Sequence, residues 1–331
     1  MKKRMANYDL LRIISMFAVI LLHINAHYLS GGNKDYYEVE SFINIVTRFS
    51  VPCFVMISGA FSLSNQKNQD FSYFYRKTIN NIVLPFLGAL SILFLLSLIK
   101  AIVTGASIID LLVAVFIGDF SNLWFMFMIC GLYFFTPIIM LVKEKISYKA
   151  FSIVSFIWLA FAVYFQAFSE YLISYSFGIV FAYMGYYLVG NVIFENKNIR
   201  IMPELCLFLS LILFITIYYI RNIYSITRFS LGPYISFFSP LTTIASVLMF
   251  LGFSGLSINI SFGCFPQQTF YIYLFHTFIF GIIFSIIRDK IIINEIITIV
   301  IVSFMTFGVS WFSAIFYSRL WKLLSERFNK K

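Results

Sequence analysis

An all-α bundle of about ten membrane-spanning helices is the fold this sequence predicts, and three observations predict it. Hydrophobic residues make up 61% of the 331 positions and charged residues 11%, whereas a water-soluble domain carries about 25% charged residues on its surface. Phe occurs 42 times and Tyr 21 times, a usage suited to lipid contact and to interfacial belts. The apolar residues also gather into runs of about 20, the length that crosses a hydrocarbon core as a helix. The mean hydropathy of +0.90 agrees.

Taken in order, the apolar runs cover approximately 8–29, 42–63, 80–99, 122–142, 149–168, 171–191, 204–220, 234–254, 268–287 and 294–318. A further apolar stretch, 103–118, is short and is followed by Asp119. It reads as a re-entrant or interfacial segment, or as a partial eleventh span. With the N-terminus inside, sixteen basic residues fall on inner segments and six on outer ones. That bias places both termini in the cytoplasm and favours an even number of spans. No loop is long enough for a separate domain, so residues 1–331 read as a single integral-membrane unit of the cell (inner) membrane. Lys2-Lys3-Arg4 before an apolar run imitates a signal peptide, but that run carries charge and no small-residue cleavage pattern, and reads as an uncleaved first span.

The same features exclude several function classes. The net charge of +10 comes from basic residues scattered between apolar runs, which argues for cytoplasmic loops and against nucleic-acid binding. The four cysteines stand singly and read as packing residues. Three histidines without a clustered carboxylate give no metal-ligand set. No phosphate-cradling glycine loop is present.

The first span is the anomaly. It holds Asp9, Arg12, His23 and His27, and ionisable groups inside a bilayer usually face a protein interior or a watery cavity. At 100° per residue, Asp9, Arg12, Met16, Val19, His23 and His27 share a sector of about 80°. Arg12 and His23 stack about 16 Å apart along the axis. An arginine at the inner mouth suits an anionic phosphate or carboxylate arriving from the cytoplasm, and a deeper histidine suits a general base for a hydroxyl group. Asp9, three residues before Arg12, either pairs with it or orients it for a ligand. His27 reads as an interfacial residue. The second span carries Arg48, which depth counting sets level with His23, roughly 9 Å below the outer surface. Pro52 bends that helix, and Ser58-Gly59 reads as a close-packing pair.

Asp9-x-x-Arg12 with ten residues before His23, followed by Arg48-x-x-x-Pro52-x-Phe54-x-x-x-Ser58-Gly59, resembles the integral-membrane acyltransferase family, type 3. Three later stretches are similar to that family's: Leu123-Trp124-Phe125 with Tyr133 and Pro137, Tyr273-Leu274-Phe275-His276, and the basic loop ending Arg76-Lys77 before Pro85. The family's inner loop often has two arginines three apart, where this chain has Asn80 and Asn81 beyond Arg76-Lys77, and Asn122 stands where relatives often have His.

The resemblance implies an O-acetyltransferase that moves an acetyl group from cytoplasmic acetyl-CoA, with no permanently bound cofactor. The acceptor would be a hydroxyl of a cell-surface polysaccharide or its lipid-linked glycolipid precursor. It implies His23 as the catalytic residue, acting as general base or as acyl carrier, and Arg12 in the donor site. Arg12, Arg76 or Lys77 would meet the donor phosphates, and Arg48 would stabilise the developing oxyanion. His276 is either an inter-helix hydrogen-bond partner or a site residue, and Trp124 an anchor or wall. Arg221 and Arg228 read as outer-face residues able to greet an anionic acceptor. The rival reading is a transporter or flippase for a surface-glycan precursor, its buried Arg and His lining the path.

Overall fold

The computed structural model describes residues 5–31, 37–105, 124–168, 176–196, 202–226, 236–287 and 294–328. These residues form twelve α-helices with short 3₁₀ and π segments between some of them. In chain order they are α1 (Ala6–Gly31), α2 (Tyr37–Val46), α3 (Ser50–Ser62), α4 (Phe71–Thr78), α5 (Leu84–Thr104), α6 (Trp124–Lys145), α7 (Tyr148–Phe168), α8 (Ser176–Glu195), α9 (Pro203–Ile226), α10 (Pro240–Gly255), α11 (Phe265–Ile287) and α12 (Glu295–Phe328). Nine stretches among the described residues are long and apolar enough to cross a membrane. The chain is an all-α, multi-pass membrane protein.

The span expected at 234–254 is shortened. α10 has 16 residues, because Ser239 caps it by accepting from the Thr242 amide and Pro240, lacking an N–H, occupies its first turn. The final helix is longer than expected, 34 residues or about 51 Å, and carries Arg319 and Lys322 with it. The third span also begins earlier. Asp70 caps α4 by accepting from the Tyr73 amide at 3.1 Å, and α4 runs through a π-helical turn, Ile79–Val83, directly into α5. Pro85 removes the amide that the Asn81 carbonyl would otherwise receive four residues on, and the backbone widens there. Beyond Gly105, the stretch 103–118 lies outside the described residues.

Pro52 has a parallel effect. Its missing amide would have served the carbonyl of Arg48, and the chain tightens into a 3₁₀ turn at Thr47–Phe49 between α2 and α3. Arg48 is therefore presented from a break in the helix. α3 crosses α8 at close range. A Cβ at Gly59 would strike the carbonyl oxygen of Tyr187, and one at Gly190 the carbonyl oxygen of Met56. Backbone meets backbone there, the close approach that small residues permit in membranes.

Contacts fix which helix ends lie together. Tyr8 of α1 packs on Phe61 of α3 and Phe194 of α8, with ring centroids 5.5 Å apart in both cases. Lys143 at the end of α6 pairs with Glu195 of α8 at 2.6 Å and donates to the Leu63 carbonyl at 2.9 Å. The start of α1 and the ends of α3, α6 and α8 thus share one end of the bundle. The last turns of α12 join them, as the site shows.

Candidate active site

At that end a cavity of about 710 Å³ enters the bundle between α1, α3, α6, α11, α12 and the π-helical turn. Its cations are Arg12 of α1 and Arg319 and Lys322 of α12, and its carboxamides are Asn81, Gln267 and Gln268. Phe54, Phe125, Met126 and Ile129 supply apolar wall, and Ser58, Thr269 and Tyr133 supply hydroxyls. Arg12 and Asp9 form the expected pair at 3.5 Å, and the Arg12 guanidinium also lies over the Phe61 ring at 5.8 Å. Ser58, set down by sequence as packing with Gly59, divides from it: Gly59 packs on α8 and Ser58 faces the cavity.

Along α11 the cavity lining includes Tyr273, which lies against Phe125 with centroids 5.3 Å apart. Tyr273 also contacts His276 at 5.4 Å, and His276 contacts His23 at 5.3 Å. Neither histidine lines the cavity; Tyr273 both lines it and touches His276. The sequence left the role of His276 open, and the fold places it against His23. Its Nδ1 lies 2.7 Å from the Tyr273 carbonyl oxygen. A carbonyl only accepts, so Nδ1 carries the proton and the neutral ring has a bare lone pair at Nε2. That atom is buried without a hydrogen-bond partner, in a residue 1% exposed. A buried acceptor left unmet costs about 1–3 kcal/mol, and orphans of this kind concentrate where chemistry is done. His27 faces the opposite end of the bundle from the cavity, packed against Phe280 and Phe284.

Arg48 has other company. Its Nε and Nη2 both donate to Asn44 Oδ1, at 3.2 and 2.8 Å, and its guanidinium lies over Phe237 at 5.4 Å. Among the described residues no hydrogen bond or ion pair joins it to His23. Trp124 shares that setting, 6.4 Å from Phe237 and 5.7 Å from Tyr183 between ring centroids. Arg76 and Lys77 are exposed on α4, with Lys77 over the Tyr73 ring at 5.8 Å. Neither lines the cavity. Asn81, whose amide donates to the Lys77 carbonyl at 2.9 Å, is the residue of that segment that does. Arg319 and Lys322 were counted in the sequence only as inner-face charges. Their three-residue spacing, one helix face, is the signal that marks them.

Among the described residues no group of three or more His, Cys, Asp or Glu gathers to hold a metal. No curated protein and no solved structure matches the chain. A family model described as an acyltransferase domain matches residues 5–315, which takes in α1 with its Arg and His, His276 and most of the cavity lining, and ends just before Ser318, Arg319 and Lys322. The chain belongs to the type 3 family of membrane acyltransferases.

Proposed function

We propose that this acyltransferase moves an acetyl group from acetyl-CoA, arriving at the cytoplasmic face, to a hydroxyl of a cell-surface polysaccharide or its lipid-linked precursor. The observation that carries the reading is the continuity of the cavity: a cationic rim of Arg12, Arg319 and Lys322 leads along apolar walls to Tyr273, behind which His276 and His23 meet. The rim suits the phosphates of the donor, and the apolar walls suit its extended thioester-bearing arm while keeping water from the thioester.

In the transfer, His23 takes the proton of the acceptor hydroxyl as that oxygen attacks the thioester carbonyl. The tetrahedral intermediate collapses with the carbon–sulfur bond broken and the ester formed, and the proton passes from His23 to the departing thiolate. His276 has a positioning part: as His23 takes up the proton, its second ring N–H turns to the His276 Nε2 lone pair, which is unmet in the resting structure, orienting the ring and supporting its positive charge, the way a third group orients the base in other acyl-transfer sites. His23→Ala is the test. Loss of acetyl transfer from an inserted, folded protein supports the reading, and undiminished transfer sinks it.

A further inference from the structure

The second arginine of the sequence motif sits in an arrangement that the donor cavity does not use. Three of the cations with recorded partners inside the bundle can be compared. Arg12 has Asp9 and Lys143 has Glu195, whereas Arg48 has neutral company: the carboxamide of Asn44, the face of Phe237 and the Tyr183 phenol nearby. No carboxylate lies within ion-pair distance of it among the described residues. Both bonds to Asn44 use the Nε and Nη2 side of the fork, so the Nη1 edge is turned away from its one protein acceptor. A second guanidinium, Arg221, belongs to α9, which packs on α2 beside Asn44, with Tyr218 against Phe42 at 5.4 Å between centroids. Glu38 of α2 is held by Tyr218 and Asn222 on either side of Arg221, and ionisable groups gathered in this way within membrane spans mark ligand sites. Arg48, Asn44, Phe237, Trp124 and Arg221 are all half-buried, so they are held by the fold yet open to a ligand.

We infer that Arg48 and Arg221 form an acceptor-side oxyanion site, with Phe237 and Trp124 as the aromatic surface beside it, and that the acceptor is an anionic carbohydrate or a sugar on a phosphate-bearing lipid. The inference rests on the acyltransferase reading for the word acceptor, and replaces an oxyanion-hole role for Arg48 with a binding one. A guanidinium fork matches a carboxylate or phosphate in two parallel hydrogen bonds, and a sugar ring lays its C–H face on aromatic rings such as those of Phe237 and Trp124. The height is right. Tyr8 and Phe61 are in contact, His23 lies fifteen residues along α1 from Tyr8, and Arg48 thirteen residues from Phe61, about 22 and 20 Å into the bundle. The 3₁₀ turn bearing Arg48 packs directly on α1. An acceptor anchored at Arg48 therefore has its hydroxyls at the level of His23, while the donor rim lies at the far end of the cavity.

The test is direct binding to the purified full chain in phosphatidylcholine nanodiscs. A galacturonate trimer, a galactose trimer and a polyprenyl phosphate are titrated calorimetrically, with phosphatidylglycerol as a competitor and acetyl-CoA binding measured on the same samples. The expected result is binding of the galacturonate trimer or of the polyprenyl phosphate, at least tenfold weaker in Arg48→Gln and in Arg221→Gln, with the galactose trimer at least tenfold weaker than either anion. The two anionic probes tell a sugar carboxylate from a carrier phosphate. Equal affinity for the galacturonate and galactose trimers, no binding of either anion, variants that bind like the wild type, or phosphatidylglycerol competing as well as the polyprenyl phosphate would each overturn the inference. The comparison of charged with neutral probes needs no variant, so it stands if one substitution fails to fold. Absence of acetyl-CoA binding alone counts against the acyltransferase reading and leaves the anion site intact.

Discussion

Replacing His276 by Leu separates a catalytic arrangement from a structural one, because the two make opposite demands on stability. In the folded protein His276 gains one hydrogen bond, from Nδ1–H to the Tyr273 carbonyl at 2.7 Å, worth about 0.5–1.5 kcal/mol. Against that stands the Nε2 lone pair, buried and unmet in a residue 1% exposed, at a cost of about 1–3 kcal/mol. Leucine has a similar volume and no polar atom, so His276→Leu is expected to melt within about 1 kcal/mol of the wild type or to be more stable. Acetyl transfer should nonetheless fall by about 10²–10⁴-fold, the usual contribution of assisted proton transfer. The assay is initial-rate transfer from radiolabelled acetyl-CoA in nanodiscs, with thermal unfolding of the same preparations. Transfer at the wild-type rate refutes the two-histidine arrangement. A loss of activity that tracks a loss of fold refutes it as well.

Three further outcomes are expected. Arg319→Ala combined with Lys322→Ala should raise KM for acetyl-CoA about tenfold with kcat little changed, whereas Arg76→Ala with Lys77→Ala should change it less than threefold; both variants are exposed, so the gain per charge is of the order of 0.5–1 kcal/mol, and the reverse ranking in steady-state kinetics would return the donor site to α4. Arg12→Ala should raise the donor KM and flatten its salt dependence, as loss of the proposed phosphate contact requires; a donor KM equal to that of the wild type would exclude Arg12 from donor binding. Gly59→Ala should lower the unfolding midpoint and the yield of folded protein, by at least the 1–3 kcal/mol typical of overpacking, because its Cβ meets the Tyr187 backbone; an unchanged midpoint would contradict the α3–α8 crossing.

Much of the fold was legible because a bilayer reduces the problem to length and polarity. α6, α7 and α11 fall close to the expected runs for that reason. The departures have local causes that hydropathy does not weigh: an N-cap at Ser239 shortens α10, the polar helix α4 continues into α5, and the charged end of α12 remains helical. The first-span face was legible too. Met16 and Val19, predicted to lie with the polar residues, are 0% and 3% exposed, so that face does turn into the protein. The site was legible only in part. His23 and Arg12 stand out as charges in an apolar run. The pairing of His23 with His276 joins residues 253 positions apart, and a lone membrane histidine looks the same whether it meets a backbone carbonyl or another ring. Arg319 and Lys322 were hidden among ordinary inner-face charges, since only the packing of α12 beside α11 brings them to the cavity. Arg76 and Lys77 drew attention by resemblance, while the widened turn after them delivers Asn81 instead.

The central claim is that His23 transfers an acetyl group delivered through the cavity to a surface glycan. The most direct measurement is the O-acetyl content of the purified cell-surface glycan from cells carrying the wild-type protein, the His23→Ala protein at equal membrane abundance, or neither. Acetyl esters present with the wild type, and absent from the other two, are the predicted result. Acetyl content that is the same in all three, or undiminished with His23→Ala, would contradict the account.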